Sequence, residues 1–183
     1  IPKLKFISEF HLDEGYLDSV VARGKEFNLD EYDHILFSYH GLPTRHIKKL
    51  NFENCNDNDC SCNPMYKNKY CYKSNCVATT KILAQKLHLE DHNYSICFQS
   101  RLDNKWLTPF ADKKIIKLAK NGAKKILVFS PAFVADCLET TVEIGEGFNE
   151  LFIENGGEKL DLVPSLNTHP KWIEAVKNLI INA

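Results

Sequence analysis

The chain has 183 residues, 44% of them hydrophobic and 26% charged, and its 23 Lys and Arg nearly balance its 24 Asp and Glu to leave a formal net charge of −1. This composition excludes a disordered chain, and one core can bury about 70% of the unfolded surface at this length. The balanced charge, with basic residues only in short pairs, excludes the electrostatic footprint of a nucleic-acid-binding protein.

Apolar runs of strand length alternate with segments of helical periodicity. The strand-like runs are residues 4–7, 34–39, 94–99, 125–130 and 160–163, and the middle three are continuous β-branched or aromatic stretches typical of strands buried on both faces. The helical segments are residues 16–27, 76–87, 112–121, about 137–155, and 170–181. This alternation predicts an α/β domain, a parallel or mostly parallel sheet with helices on both sides.

In open parallel sheets, ligands bind beyond the carboxyl ends of the strands, so chemistry is expected just after Tyr39, Gln99 and Ser130. His40 follows the second strand-like run, and a Gly-Leu-Pro-x-Arg run then turns the chain. A single His at such a position is more often a core-edge residue bonded to a backbone carbonyl. The motif around His40 favours a functional imidazole instead, either a base or a metal ligand near neutral pH.

The alternation is interrupted by a polar stretch, residues 51–75, which is predicted to be an inserted loop. Five of the seven cysteines lie there: Cys55, Cys60, Cys62, Cys71 and Cys76. In a chain without an export signal, such a cluster favours metal binding over disulfides. Tetrahedral zinc and unligated thiols are both open interpretations, and no Cys-x-x-Cys pair marks a zinc ribbon.

The segment after the third strand-like run supplies the Ser100 hydroxyl, the Arg101 guanidinium and the Trp106 ring. Arg pairs with carboxylates and Trp stacks on rings, so these groups fit a flat ligand that carries carboxylates. The alternative is that Trp106 is an ordinary packing residue of a loop.

Acidic residues follow the fourth strand-like run. Glu139 and Glu143 are one helical turn apart and are expected to share a face, with Glu146 nearby and Asp136 at the predicted N-cap. Acidic residues in a first turn are often only partners of the helix dipole. Facing an imidazole from another strand, however, the two carboxylates suit a labile divalent ion.

Three motifs, residues 37–43 with His40, residues 99–109 with Trp106, and residues 130–140 with Glu139, together resemble the ferrochelatase family. They stand in the family's order, residues 163–167 are similar to its final strand and turn, and the resemblance covers nearly the whole chain except residues 51–75. It implies a lyase that inserts ferrous iron into a porphyrin during haem biosynthesis. It also implies two Rossmann-like α/β domains with the porphyrin between them, of which residues 1–183 are the carboxyl-terminal one with its lead-in.

The resemblance also implies residue roles. His40 takes the place of the active-site His, Glu139 that of the catalytic Glu, and Glu143 the next acidic position of the metal path. Ser100, Arg101 and Trp106 are then expected to contact the porphyrin. The pattern departs from the family at two positions: Gly147 stands where an acidic residue is frequent, and Cys137 where some members carry His.

Some family members carry a [2Fe–2S] cluster on four cysteines, which the inserted loop could hold with one thiol to spare. The implied partners are porphyrin, ferrous iron and an amino-terminal half, since the missing initiator Met indicates that more chain precedes residue 1. No apolar run approaches the about 20 residues that cross a bilayer, and no signal peptide is present. We therefore expect a cytoplasmic protein, with peripheral membrane contact as in the family.

Two other functions compete with this interpretation. One is an inactive fragment that binds metal through its cysteines. The other is a related tetrapyrrole chelatase that loads cobalt or nickel, a class that lacks the pattern around Asp136, Leu138 and Glu139 seen here.

Overall fold

The computed structural model describes residue 2, residues 4–49 and residues 70–182. Four strands form one parallel sheet in the order β2-β1-β3-β4. They are β1 (His34–His40), β2 (Tyr94–Gln99), β3 (Lys125–Phe129) and β4 (Lys159–Leu162). Because every pairing is parallel, all four carboxyl ends lie along one edge of the sheet.

Helices flank the sheet in the described ranges. They are α1 (Glu14–Gly24), α2 (Thr44–Lys48), α3 (Tyr72–Lys86), α4 (Ala111–Lys120), α5 (Asn149–Glu154) and α6 (Pro170–Ile181), together with a 3₁₀ turn (Leu29–Glu31) and a π-helix (Glu139–Phe148). Because side chains alternate along a strand, β1 serves both faces of the sheet. Phe37 joins a core with Leu17 of α1 and Leu83 of α3. On the other face Leu36 packs in a second core with Ile115 of α4.

This arrangement confirms the predicted α/β class with helices on both sides. The predicted strands at 34–39, 94–99, 125–130 and 160–163 and the predicted helices at 16–27, 112–121 and 170–181 are all present within a few residues. Pro170 opens α6 as its first helical residue. Gly156, after α5, has a φ of 105°, a left-handed conformation that ends a helix at little cost for glycine.

The predicted strand at residues 4–7 is wrong. The segment has no regular structure, and Leu4 and Phe6 are 75% and 85% exposed. A strand needs a neighbour for its backbone hydrogen bonds, and no described strand pairs with this segment.

The structure also differs from the prediction of a single helix over about 137–155. This segment forms the π-helix followed directly by α5. Apolar spacing shows which face of a helix is buried, and Ile144 and Phe152 are indeed buried. It does not show whether each N–H bonds four or five residues back, which is what separates the two helix types.

The helix predicted from residue 76 begins earlier, at Tyr72, so it takes in the end of the predicted insertion. Cys76 lies inside α3, and Cys71 is its N-cap. The predicted ligands Cys55, Cys60 and Cys62 lie outside the described residues. Among the helices described, none combines the length and apolar character needed to span a membrane.

Candidate active site

The turn that follows β1 determines the position of His40. A Cβ on Gly41 would lie 2.8 Å from the Gln99 carbonyl oxygen and 3.2 Å from Cε3 of Trp106. Only glycine therefore lets the turn approach the end of β2 so closely. The Tyr72 hydroxyl donates to the His40 carbonyl at 2.9 Å, which attaches the start of α3 to the same point.

The tautomer of His40 follows from its hydrogen bond. Nδ1 lies 2.6 Å from the carbonyl oxygen of Gly41. A carbonyl only accepts, so Nδ1 carries the proton and donates. In the neutral ring Nε2 is then the nitrogen with a free lone pair, which is the form that a general base or a metal ligand requires.

Aromatic rings from two other loops enclose this half-buried imidazole. The ring centroids of Trp106 and Phe133 each lie 6.3 Å from that of His40. Trp106 follows β2 and Phe133 follows β3, so three neighbouring strand ends contribute to one site. Such walls exclude water and present flat apolar surfaces.

Gln99, the last residue of β2, joins the strand ends to the π-helix. Its side chain is 1% exposed; it accepts a hydrogen bond from the Ser38 hydroxyl at 2.6 Å and donates one to the backbone carbonyl of Glu139 at 3.0 Å. Sequence reasoning used this residue only to mark the end of a strand. An amide closing an otherwise apolar run was the available signal, since a buried amide must find partners.

The start of the π-helix brings Glu139 toward His40. Hydrogen bonds from its own backbone N–H and from the Cys137 thiol lower the pKa of the Glu139 carboxyl, and the charge of His40 lowers that pKa further. The imidazole and the carboxylate are thus close enough to influence each other electrostatically.

Glu143 is held by the loop after β2. The backbone N–H and the hydroxyl of Ser100 both donate to its carboxylate, at 2.8 Å and 2.5 Å. Ser100 has a φ of 58°, a left-handed conformation that aims both donors at the π-helix. Ser100, which is predicted to contact the porphyrin, therefore holds Glu143 in place, a contact that sequence reasoning missed.

The prediction that Asp136 caps the following helix is wrong. Its carboxylate accepts from the Ser165 N–H at 3.0 Å and from the Asn167 side chain at 2.7 Å, and its own N–H donates to the Asn167 side-chain oxygen. Asp136 thus ties the approach to the π-helix to the turn after β4. These two partners, 29 and 31 residues downstream, are preferred because each supplies one donor to one of the two carboxylate oxygens.

Arg101 already has partners at the start of α4 in this structure. Its guanidinium pairs with Asp112 at 2.7 Å and lies 4.4 Å from the centroid of the Phe110 ring. The predicted porphyrin contact Arg101 is therefore already partnered at the start of α4.

No group of three or more His, Cys, Asp or Glu side chains within the described ranges is close enough to hold a metal ion. The predicted metal ligands His40, Glu139 and Glu143 therefore do not form a closed coordination site.

Two of the predicted cluster ligands lie in the described part of the chain, Cys71 and Cys76, and both are buried. Cys76 is hydrogen-bonded to the Tyr72 hydroxyl, and burial raises the pKa of Tyr72.

The fold and the site together define an α/β protein whose polar residues converge at the carboxyl edge of a parallel sheet. A model of the ferrochelatase family matches residues 1–183. The chain belongs to the ferrochelatase family, which confirms the resemblance drawn from its three motifs.

Curated relatives agree with this assignment. The chain is 42% identical over 182 residues to a ferrochelatase of Pseudomonas putida (strain W619), covering 97% of this chain and 54% of the relative. It is 42% identical over 183 residues to a ferrochelatase of Coxiella burnetii (strain Dugway 5J108-111), covering 97% and 51%. The chain therefore spans about half the length of the curated relatives it matches. The solved CbiX protein of Marinobacter aquaeolei VT8 superimposes with a TM-score of 0.46 at 13% identity, covering 81% of this chain and 94% of that chain.

Proposed function

We propose that this chain is the catalytic, carboxyl-terminal portion of an enzyme that inserts ferrous iron into a porphyrin for haem biosynthesis. The observation that carries the proposal is geometric: His40 ends β1, and the last residue of β2 holds the backbone carbonyl of Glu139 at the same edge of the sheet. Family membership supports metal insertion into a porphyrin, and the match to about half of each relative supports a partial chain.

Insertion exchanges the two inner N–H protons of the macrocycle for one Fe²⁺. His40 accepts the two pyrrole protons one after the other at Nε2, releasing the first to water before it takes the second, since Nδ1 is already bonded to the Gly41 carbonyl. Glu139, on the opposite side, takes water ligands off the arriving ion and passes it to the ring nitrogens. Glu143, oriented by Ser100, receives the ion first. The open arrangement of these oxygen ligands suits an ion that must leave again.

Flat surfaces beside His40 suit the macrocycle. The rings of Trp106 and Phe133 lie next to the imidazole, and stacking on rings is favourable for a conjugated ligand. We infer that the porphyrin lies over this edge and that an amino-terminal half covers its other face. We also propose a cytoplasmic location with peripheral membrane contact, by analogy with the family.

His40→Ala in the complete protein should abolish iron insertion and leave porphyrin binding measurable, because only the proton acceptor is removed.

Glu139→Gln should lower turnover by at least about a hundredfold, as loss of a group acting at the reacting atoms does. His92→Ala and Glu154→Gln, both at exposed positions, are matched controls. Turnover would be followed by the loss of porphyrin fluorescence as metal enters. Near-normal rates in either active-site variant would remove that residue from the mechanism.

We further propose that the cysteine stretch holds a [2Fe–2S] cluster, with tetrahedral zinc as the alternative. Both Cys71 and Cys76 pack in the core. Cys76 lies within α3, whereas Cys71 is the N-cap of that helix and stands next to the stretch. This leaves Cys55, Cys60, Cys62 and Cys71 as a set of four, the number that either site uses. Two iron atoms per anaerobically purified chain with visible absorbance would support the cluster, and one zinc without colour would contradict it.

A further inference from the structure

A second cavity next to the site is lined in part by Trp106 and has no role in the proposed reaction. Its volume is about 520 Å³, within the range of small-molecule sites. Its walls are formed in part by Arg45, Lys48, Asp103, Lys105, Leu102 and Trp106. We call it the basic cavity.

The basic cavity carries an excess of positive charge. Three of its side chains are cationic and one, Asp103, is anionic. Asp103 is already engaged, since it accepts from the backbone N–H of Lys105 at 2.6 Å. Neither Arg45 nor Lys105 forms an ion pair within the part of the chain that the structure describes. Arg45 and Lys105 are thus available to an anionic ligand, and Arg45 can hold a carboxylate by two parallel hydrogen bonds.

The cavity also has an apolar wall. Leu102 is 86% exposed, which is unusual for so large an apolar side chain, and the Trp106 ring stands beside it. A surface that combines an apolar wall with cations suits an amphipathic anion, a flat body with carboxylate arms.

Two loops hold the basic cavity rigid and join it to the site of His40. Pro43 and Trp106 form an antiparallel bridge, and the Leu107 N–H donates to the Leu42 carbonyl at 2.9 Å. The N–H and the hydroxyl of Thr44 both donate to the Lys105 carbonyl, at 2.9 Å and 2.8 Å. The backbone that carries Arg45 is therefore attached to the backbone that carries Lys105. Trp106, which lines the cavity, is also the ring that lies 6.3 Å from His40.

We propose that the basic cavity binds the carboxylate arms of the porphyrin substrate, with Arg45 and Lys105 as the specificity-determining cations. This inference rests on the proposed function, because it assumes that the macrocycle lies over His40. Arg101, the cation that the sequence suggested for this duty, is paired with Asp112 instead. Arg45 and Lys105 bind the negatively charged carboxylates, while Trp106 contacts the porphyrin ring.

The test is fluorescence titration of the complete protein with two probes, a dicarboxylate porphyrin and its uncharged dimethyl ester. The double variant Arg45→Gln/Lys105→Gln should raise the Kd of the dicarboxylate about tenfold and change that of the ester less than about twofold, because only the charged arms lose partners. The preference of the wild-type protein for the dicarboxylate should shrink at high salt, since exposed charges are screened. Lys81→Gln/Lys120→Gln, at exposed positions on α3 and α4, removes the same charge elsewhere and should leave both values unchanged.

An equal loss for both probes, or no change for either, would overturn the proposal while leaving iron insertion by the wild-type protein intact. Loss of binding to phosphatidylglycerol vesicles with unchanged affinity for the dicarboxylate would also overturn it, because the cations would then serve a membrane surface. A wild-type protein that binds neither probe would refute the proposed function together with this inference.

Discussion

His40 is placed by its nearest neighbours in the chain. Gly41 allows the close turn, and its carbonyl fixes the imidazole tautomer through a 2.6 Å contact. Both features are local, which is why the sequence motif could point to this residue. The contacts of Gln99 and Ser100 with the π-helix are different, since each joins residues 40 or more positions apart and no local pattern encodes them.

Gln99 acts as a positioning residue for Glu139. Gln99→Leu leaves the Glu139 carbonyl and the Ser38 hydroxyl without their partners and should cost about 1–3 kcal/mol in the free energy of unfolding. In the proposed mechanism it should also lower kcat with little change in KM, since the proposed porphyrin contacts are unchanged. Gln85→Leu on the exposed side of α3 is the control, and an equal effect on kcat there would exclude the positioning role.

His34 makes the stability of the fold sensitive to acid. Burial, and secondarily the charge of Lys114, lower the pKa of His34 to about 4, while its Nε2 contacts the Ser95 hydroxyl at 2.7 Å. In the unfolded chain the pKa returns to about 6.5. Above that value the ring is neutral in both states, and below it the unfolded state binds the extra proton. Stability should therefore fall as the pH drops from about 6.5 toward 4.

The His34 ring alone should lower the free energy of unfolding by about 2–3 kcal/mol at pH 4.5 relative to pH 7.5. Urea unfolding of the wild-type protein and of His34→Gln at both pH values measures it, because glutamine keeps a polar contact and does not titrate. The variant should show a smaller difference between the two pH values. Identical pH dependence in both proteins, or the same change in the exposed control His92→Gln, would contradict the prediction.

Among the elements, the junction between the approach to the π-helix and the exit of β4 depends on Asp136. Burial alone would raise the pKa of this carboxyl, but hydrogen bonds from Asn167 and Ser165 lower it below its usual value. Asp136→Ala should destabilise the protein by about 1 kcal/mol, the usual worth of such hydrogen bonds near the surface. Asp136→Asn, which retains an acceptor for the Ser165 N–H, should lose less. Urea unfolding would measure the stability of both variants. An unchanged midpoint for Asp136→Ala would show that these hydrogen bonds do not stabilise the junction.

The π-helix is the element that the apolar pattern described least well. Its buried residues Thr140 and Ile144 lie toward the sheet, as an α-helix of the same sequence would also place them. The wider turn is accompanied by contacts from outside the helix, the Gln99 amide on the Glu139 carbonyl and Ser100 on Glu143. Glu139 and Glu143 remain on neighbouring positions of one face, so the predicted carboxylate pair does not depend on the helix type.

For the molecule as a whole, the match to about half of each curated relative leads to a prediction about affinity. The 183-residue chain should bind porphyrin at least about tenfold more weakly than a chain extended by an amino-terminal α/β unit, because one face of the macrocycle then stays in water. Fluorescence titration with protoporphyrin, followed by quenching on Fe²⁺ or Zn²⁺ addition, compares the two. Equal affinity and equal quenching would show that the cleft is complete without the extension.

The linear pattern of residues was sufficient for the α/β class, for the helices on both faces and for the three segments that carry the site. These properties follow from short-range regularities, since a buried strand must be continuously apolar and a helix must repeat its apolar residues. Only the tertiary structure decided that residues 4–7 join no described strand, that Arg101 pairs with Asp112 and that Ser100 holds Glu143. The reason is physical: such contacts depend on which elements the strand order β2-β1-β3-β4 makes neighbours, and that order results from packing the entire chain.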